Sequence, residues 1–312
     1  MLPYLLRRAG ASALTLLLVA LLVFAAIGLV PGDPARALVG TEAGPEEYLA
    51  ARERLGLDLP WPVRFARWIG GLLRGDWGES LRYGRPAREL VGGGLSLTVP
   101  LAALALFLSI LISLPLGTAA AARLGGWVDL ATVGMAQLGT ALPEFWLGIL
   151  LVGVFAERLG WLPAGGFPGW ENPRAVVHLL LPASALALPR AAYLARLVRG
   201  SLGDVLREDY VRTAHAKGVV GWRVLAVHAL RNALIPVVTG AGLTFARLLA
   251  GALVVENVFG LPGLGRLGVV AVEARDLPLV ASLATVVAGL IVLVSLTVDL
   301  SYALLDPRIR HR

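Results

Sequence analysis

Residues 7–34 read RRAGASALTLLLVALLVFAAIGLVPGDP. Two arginines, Arg7 and Arg8, precede an uncharged apolar run that continues to Val30 and stops at Pro31-Gly32-Asp33-Pro34. A cleaved secretory leader would carry an apolar region of about 7–15 residues and end in a small-residue cleavage site. This run is longer and ends in a turn signal, so it reads as a retained transmembrane helix, which needs about 20 predominantly apolar residues. Working outward, five further runs of this kind follow. The expected spans cover approximately 9–30, 95–122, 128–156, 176–198, 233–256 and 279–304. The expected fold class is all-α and integral to the membrane, with six transmembrane helices and an extracytoplasmic insertion between helices 1 and 2.

Composition agrees. The chain is 57% hydrophobic and only 16% charged, whereas a soluble domain carries about 25% charge to cover its surface. Cysteine is absent, which excludes disulfides, thiol catalysis and cysteine metal sites. His178, His215, His228 and His311 form no metal-ligand constellation. The formal net charge is +7, with a single lysine, Lys217, among 28 lysines and arginines. In a soluble protein such an excess would suggest nucleic acid; here its distribution reports orientation instead. With the N-terminus inside, the cytoplasmic segments hold twelve Lys/Arg, six of them between residues 199 and 231 and three in the tail at Arg308, Arg310 and Arg312. The two short outside loops hold four: Arg158, Arg174, Arg266 and Arg275. Both termini are therefore expected in the cytoplasm.

The first outside segment, about residues 31–94, has its own organisation. Pro45-Glu46-Glu47 can open a helix, because proline suits the first turn and acids suit its positive end. Trp61 to Leu73 places Phe65, Trp68, Ile69 and Leu72 on one helical face. That face suits either a membrane interface or packing within a small extracytoplasmic cap.

The inside loop between spans four and five carries the most information. Asp204 is a suitable N-cap, Glu208 and Asp209 fall towards the start of a helix, and Arg212, His215 and Lys217 towards its end. Gly218 can take the left-handed conformation that stops it. A second helix, Trp222 to Ile235, leads past Pro236 into span five. Small residues at Ala214, Ala216 and Gly218 permit close approach by a partner, and a helix on a cytoplasmic face can fit a groove on another protein.

Glu208-Asp209-Tyr210-Val211-Arg212-Thr213-Ala214-His215-Ala216-Lys217-Gly218 and His228-Ala229-Leu230-Arg231-Asn232-Ala233-Leu234-Ile235-Pro236 resemble the coupling loop of permeases in ATP-binding-cassette importers. The general form of that loop is Glu-Ala-Ala, three residues, Gly, nine residues, Ile-x-Leu-Pro. Aligned on Gly218, Arg212-Thr213-Ala214 take the Glu-Ala-Ala positions, His228 the Ile position and Leu230 the Leu position, while proline comes later, at Pro236. These departures are how the dipeptide, oligopeptide and nickel branch reads. The resemblance to that branch extends through Leu55-Gly56-Leu57-Asp58, Leu72 to Gly78, Phe145-Trp146-Leu147-Gly148, Glu256-Asn257-Val258-Phe259, Pro262-Gly263-Leu264-Gly265 and Leu305-Asp306-Pro307-Arg308. It is greatest to the first of the two paired permeases.

The resemblance implies a type I importer permease of a bacterial inner membrane, carrying peptides or related small polar solutes inward. Its implied partners are a homologous second permease, two ATPase subunits and an extracytoplasmic binding protein, within a lipid bilayer and without nucleic acid. Residues 1–94 would form the first helix and extracytoplasmic segment and 95–305 the permease core. Within it 204–236 would be the coupling loop, and 306–312 a cytoplasmic tail. Tyr210, Arg212, Thr213, Ala214, Ala216, Lys217, Gly218 and Leu230 would serve the coupling. The chain itself is expected to be no enzyme and to hold no cofactor or metal, ATP and magnesium being bound by the partner ATPases. A phosphate-cradling loop needs Gly-x4-Gly-Lys-Ser/Thr, and the single lysine, Lys217, follows Ala216 and precedes Gly218.

Ionisable groups within spans cost energy and face a cavity or a partner. Glu144, Arg190 and Arg247 are candidates for a polar translocation path meeting the amino and carboxylate ends of a zwitterionic solute. The alternative is an internal pair such as Glu144 with Arg247, or contacts with the sister permease. Glu256 and Asp299 are candidates for a gate or for helix-end roles. Two other classes compete with the importer: a gradient-driven secondary transporter, which often shows helices broken at the midplane, and a non-transporting membrane scaffold. No broken helix is evident in the sequence. The solute is open, since relatives carry dipeptides, oligopeptides, nickel chelates and some sugars.

Overall fold

In a bilayer every backbone N–H and C=O needs an internal partner, and an α-helix supplies them within one segment. The computed structural model describes residues 2–29, 33–40 and 43–305. Among these residues there is no β-strand, only one isolated bridge between Glu79 and Pro86. The helices are α1 (Leu2–Gly28), α2 (Pro34–Val39), α3 (Pro45–Arg54), α4 (Trp61–Leu73), α5 (Ala87–Ala122), α6 (Trp127–Ala141) and α7 (Glu144–Leu151). They continue with α8 (Ala175–Val205), α9 (Asp209–Ala216), α10 (Gly221–Arg223), α11 (Leu230–Val258), α12 (Leu264–Glu273) and α13 (Leu277–Leu305). Wide π turns extend α7 over Val152–Arg158 and join α10 to α11 over Val224–Ala229.

Five helical stretches are long and apolar enough to cross a membrane: Leu6–Gly28, Ala87–Ala122, Ala175–Val205, Leu230–Val258 and Leu277–Leu300. They fall on expected spans one, two, four, five and six. The third differs. Instead of one helix over 128–156, α6 and the segment Glu144–Arg158 meet at 102°. Pro143 is the reason: the residue before a proline is pushed out of the α region, and Leu142 is extended at φ −86, ψ 128. This corrects the expectation of an unbroken span. Counting the bent pair as one span brings the total to six.

By contact density the chain falls into two units, one of Thr98–Leu261 with the segment from Val294 on, the other of Leu2–Leu97 with Pro262–Leu293. The first is organised on α8, which packs against α6, α7 and α11. Its buried Ala183, Ala185, Ala187, Ala191 and Ala195 let backbones approach closely, as small residues do between helices in lipid. In the second unit the apolar face of α4 is occupied by α1. Phe24 lies 5.5 Å from the Trp61 and Phe65 ring centroids and 5.3 Å from that of Trp68. The segment before α5 is fastened to the start of α13. Fully buried Asp276 accepts from the Ser80 hydroxyl, from Arg82 N at 3.1 Å and from Leu279 N at 3.2 Å. Ser282 Oγ donates to Trp77 O at 2.6 Å. Three donors thus compensate a carboxylate that has no cation within ion-pair distance among the described residues.

The Pro31-Gly32 turn signal and the tail 306–312, with Arg308, Arg310 and Arg312, lie outside the described residues, as do the side chains of His215 and His228.

Candidate functional site

The loop after α8 is a short helix held on an apolar seat. Asp204, expected as its N-cap, lies instead within α8, which runs on to Val205. Leu202 is fully buried, with Val205 and Leu206 packed in the same cluster, so apolar contact carries α8 past the capping residue. After a turn, α9 begins at Asp209. Gly218 has φ +78, and Val219 N donates back to Ala214 O at 3.2 Å, a left-handed helix stop that glycine adopts without steric cost.

α9 packs against the wide turns Val224–Ala229, whose Ala229 belongs to a buried cluster with Ala121, Leu202 and Ala233, with Leu225 and Leu230 packed on it. Val211 of α9 and Val224 are buried, and Asn232 Nδ2 donates to Tyr210 Oη at 2.9 Å. The expected coupling residues therefore divide. Tyr210, Arg212, Thr213, Ala216, Lys217 and Gly218 are exposed, while Ala214 is half-buried and Leu230 belongs to the seat.

The second constellation sits at the break between α6 and α7. A cavity of about 530 Å³ is lined by Gly139, Thr140, Pro143, Glu144, Arg190, Tyr193 and Arg247 among others. Non-helical backbone at membrane depth is tolerated where it lines such a cavity. Glu144 opens α7 at the positive end of that helix. Arg190 Nη2 donates to Glu144 Oε1 at 2.5 Å, and the two side chains are 25% and 17% exposed. Gly251 on α11 leaves room for this carboxylate, since a Cβ there would overlap Glu144 Oε2. The pair is thus Glu144 with Arg190, not the Glu144–Arg247 pair weighed from the sequence. The reason is register: Pro143 ends α6 and sets Glu144 against α8, which carries Arg190. Arg247 lies over Tyr193, its guanidinium carbon 5.8 Å from the ring centroid.

The two remaining candidates lie elsewhere. Glu256 is fully buried in the last turn of α11 and accepts from Thr98 Oγ1 at 2.6 Å, fastening α5 to α11. Asp299 is half-buried in α13. Sequence reasoning missed Asp129, which is buried in the first turn of α6, accepts from Gly125 N at 2.8 Å and holds the Arg199 guanidinium of α8 through both oxygens. An acid in the first turn of an apolar segment was a readable signal; its partner, 70 residues away, was not.

A polytopic helical protein with a bent third span, a polar cavity at the bend and an exposed helix seated beside the fourth span belongs to the class of membrane transport components. The chain is a member of the binding-protein-dependent transport system inner membrane component family, whose description matches residues 113–311. The N-terminal description for membrane components of such systems matches residues 1–84. The family is one of permeases, not catalysts. Among curated relatives, a probable peptide ABC transporter permease, y4tP, of Sinorhizobium fredii is 39% identical over 310 residues, 99% of each chain. The glutathione transport system permease GsiC of Salmonella paratyphi A is 42% identical over 312 residues, the full length of both. Two solved structures share the fold. One is the inward-facing MetNI methionine ABC transporter (TM-score 0.58, 17% identity, 70% of this chain and 96% of that one). The other is an amino acid ABC transporter (TM-score 0.54, 19% identity, 69% and 94%). The resemblance read from the sequence thus holds at the level of the family and the fold.

Proposed function

We propose that this chain forms half of the translocation pathway of an ATP-driven importer for peptides or related small polar solutes. In this reading it pairs with a homologous second permease, two ATPases that bind ATP and magnesium, and an extracytoplasmic binding protein. Residues 1–94 supply the first span and the extracytoplasmic segment and 95–305 the core; both termini and the tail 306–312 are cytoplasmic. The loop 204–236 couples to an ATPase through the exposed face of α9, and the cavity at Glu144, Arg190 and Arg247 lies on the path. Glu256 and Asp299 hold helix ends. ATP sets direction because it has different affinities for the two conformations of the complex, the only way a ligand shifts such an equilibrium.

The observation that carries this reading is α9 itself, a short helix with Val211 buried against its seat and Arg212, Thr213, Ala216 and Lys217 exposed. A helix so seated transmits a push on its outer face to α8 and α11. The test is Gly218→Pro, which demands φ near −65° where the backbone holds +78. The variant complex is expected to assemble while hydrolysis stimulated by binding protein and solute is lost. Undiminished stimulation would show that coupling lies elsewhere.

The break between α6 and α7 is a feature shared with gradient-driven transporters, and it is the one observation that favours that second reading.

A further inference from the structure

The charges lining the cavity at the α6–α7 break do not balance. Glu144 is taken up by Arg190, so its carboxylate already has a counter-ion. Arg247, the third charged group on the lining, has no carboxylate within ion-pair distance among the described residues. Its contact there is with the face of Tyr193. Arg190 in turn keeps a buried Nε with no hydrogen-bond acceptor. The lining therefore carries one surplus positive charge and an unused donor, with no acid free to receive a cation.

We propose that this cavity is a carboxylate subsite, in which Arg247 receives the carboxylate end of a passing solute and no group recognises an amino end. This rests on the import reading above and narrows it. A zwitterion would find its positive end unmatched, because the charge of Glu144 is already balanced by Arg190 and no second carboxylate lines the cavity to offset the cost of a further cation in a spanning region. The guanidinium fork suits a carboxylate in two parallel hydrogen bonds, and the Tyr193 ring favours the cation over its face. A cavity of about 530 Å³ falls within the size of sites that enclose small ligands. One cationic contact also suits a station on a path, since a passing solute must bind well enough to enter and weakly enough to leave. The class of ligand is a short peptide or other small solute with a free carboxylate, whatever its amino end or side chains.

The experiment uses the complete importer in proteoliposomes and three labelled probes: a tripeptide with a free C-terminal carboxylate, its C-terminal amide, and its N-acetylated acid. The same binding protein serves every variant, so its own preference cancels in a comparison of ratios. Losing one charge-assisted contact costs about tenfold. Uptake of acid relative to amide is therefore expected to fall about tenfold in Arg247→Gln and to be largely kept in Arg247→Lys. The N-acetylated acid is expected to depend on Arg247 as the free peptide does.

An unchanged acid-to-amide ratio in Arg247→Gln, in a complex that assembles, overturns the proposal. So does a ratio lost equally in Arg247→Lys, or an N-acetylated probe indifferent to Arg247. Failure of Arg247→Gln to assemble while Arg247→Lys assembles assigns the arginine to a partner subunit and also overturns it. A wild-type complex that takes up none of the three probes with ATP removes the import reading itself, a result distinct from the others.

Discussion

Replacing Glu144 by glutamine removes the counter-ion of Arg190 while keeping the size of the side chain. An uncompensated arginine at the centre of a spanning helix costs about 2.5–3.5 kcal/mol. Arg190 borders a cavity and its side chain is 25% exposed, which brings the loss to about 2 kcal/mol because partial solvation offsets part of the penalty. Replacing both Glu144 and Arg190 by glutamine removes both members of this pair and leaves neither position with an uncompensated charge, and exchanging a whole buried pair for neutral groups is often close to neutral. The double variant is therefore expected to be more stable than Glu144→Gln alone. The assay is thermal melting of the purified two-permease complex in detergent, with the single and double variants forming a cycle. At about 2–4 °C per kcal/mol, Glu144→Gln should melt about 4–8 °C below wild type, with most of that recovered in the double variant. A Glu144→Gln variant as stable as wild type, or a double variant showing the sum of both single losses, would refute the reasoning.

Three further outcomes follow from other parts of the molecule. Phe24→Ala removes the ring on which Trp61, Phe65 and Trp68 converge and should cost about 3 kcal/mol, read as increased proteolysis within residues 61–73. Asp129→Asn removes the anion that both Arg199 contacts require. It should loosen α6 from α8, read as a lower melting temperature that Arg199→Gln does not lower further. Because the chain has no cysteine, single cysteines report sidedness cleanly: Arg207→Cys should label with a membrane-impermeant reagent only from the cytoplasmic side, and Glu53→Cys only from the other.

Much of this architecture was legible because hydrophobic length is a strong signal and five of the spans needed nothing more. The α4 helix over Trp61–Leu73 and its aromatic face were readable from helical spacing, although only the structure supplies Phe24 as the surface beneath it. Gly218 as a helix stop was readable because its chemistry is local. The third span reads as unbroken although the cue for its break, Pro143 after Leu142, is also local: in the sequence a long apolar run outweighs a single backbone restriction. Asp204 reads as an N-cap, but burial of Leu202, with the partly buried Leu206 packed beside it, prevails over capping preference. The choice between Arg190 and Arg247 for Glu144 depended on how the bend turns α7 against α8, which no spacing along the chain encodes. Asp129 and Arg199 were hidden for the same reason, as partners on different helices.

The measurement that tests the central claim most directly is solute uptake into proteoliposomes holding the complete complex, its ATPases facing the lumen and the binding protein outside. Uptake should require ATP enclosed in the lumen and continue when ionophores collapse proton and sodium gradients. Uptake driven by an imposed ion gradient without ATP would contradict the account and return the bent third span to the gradient-driven reading.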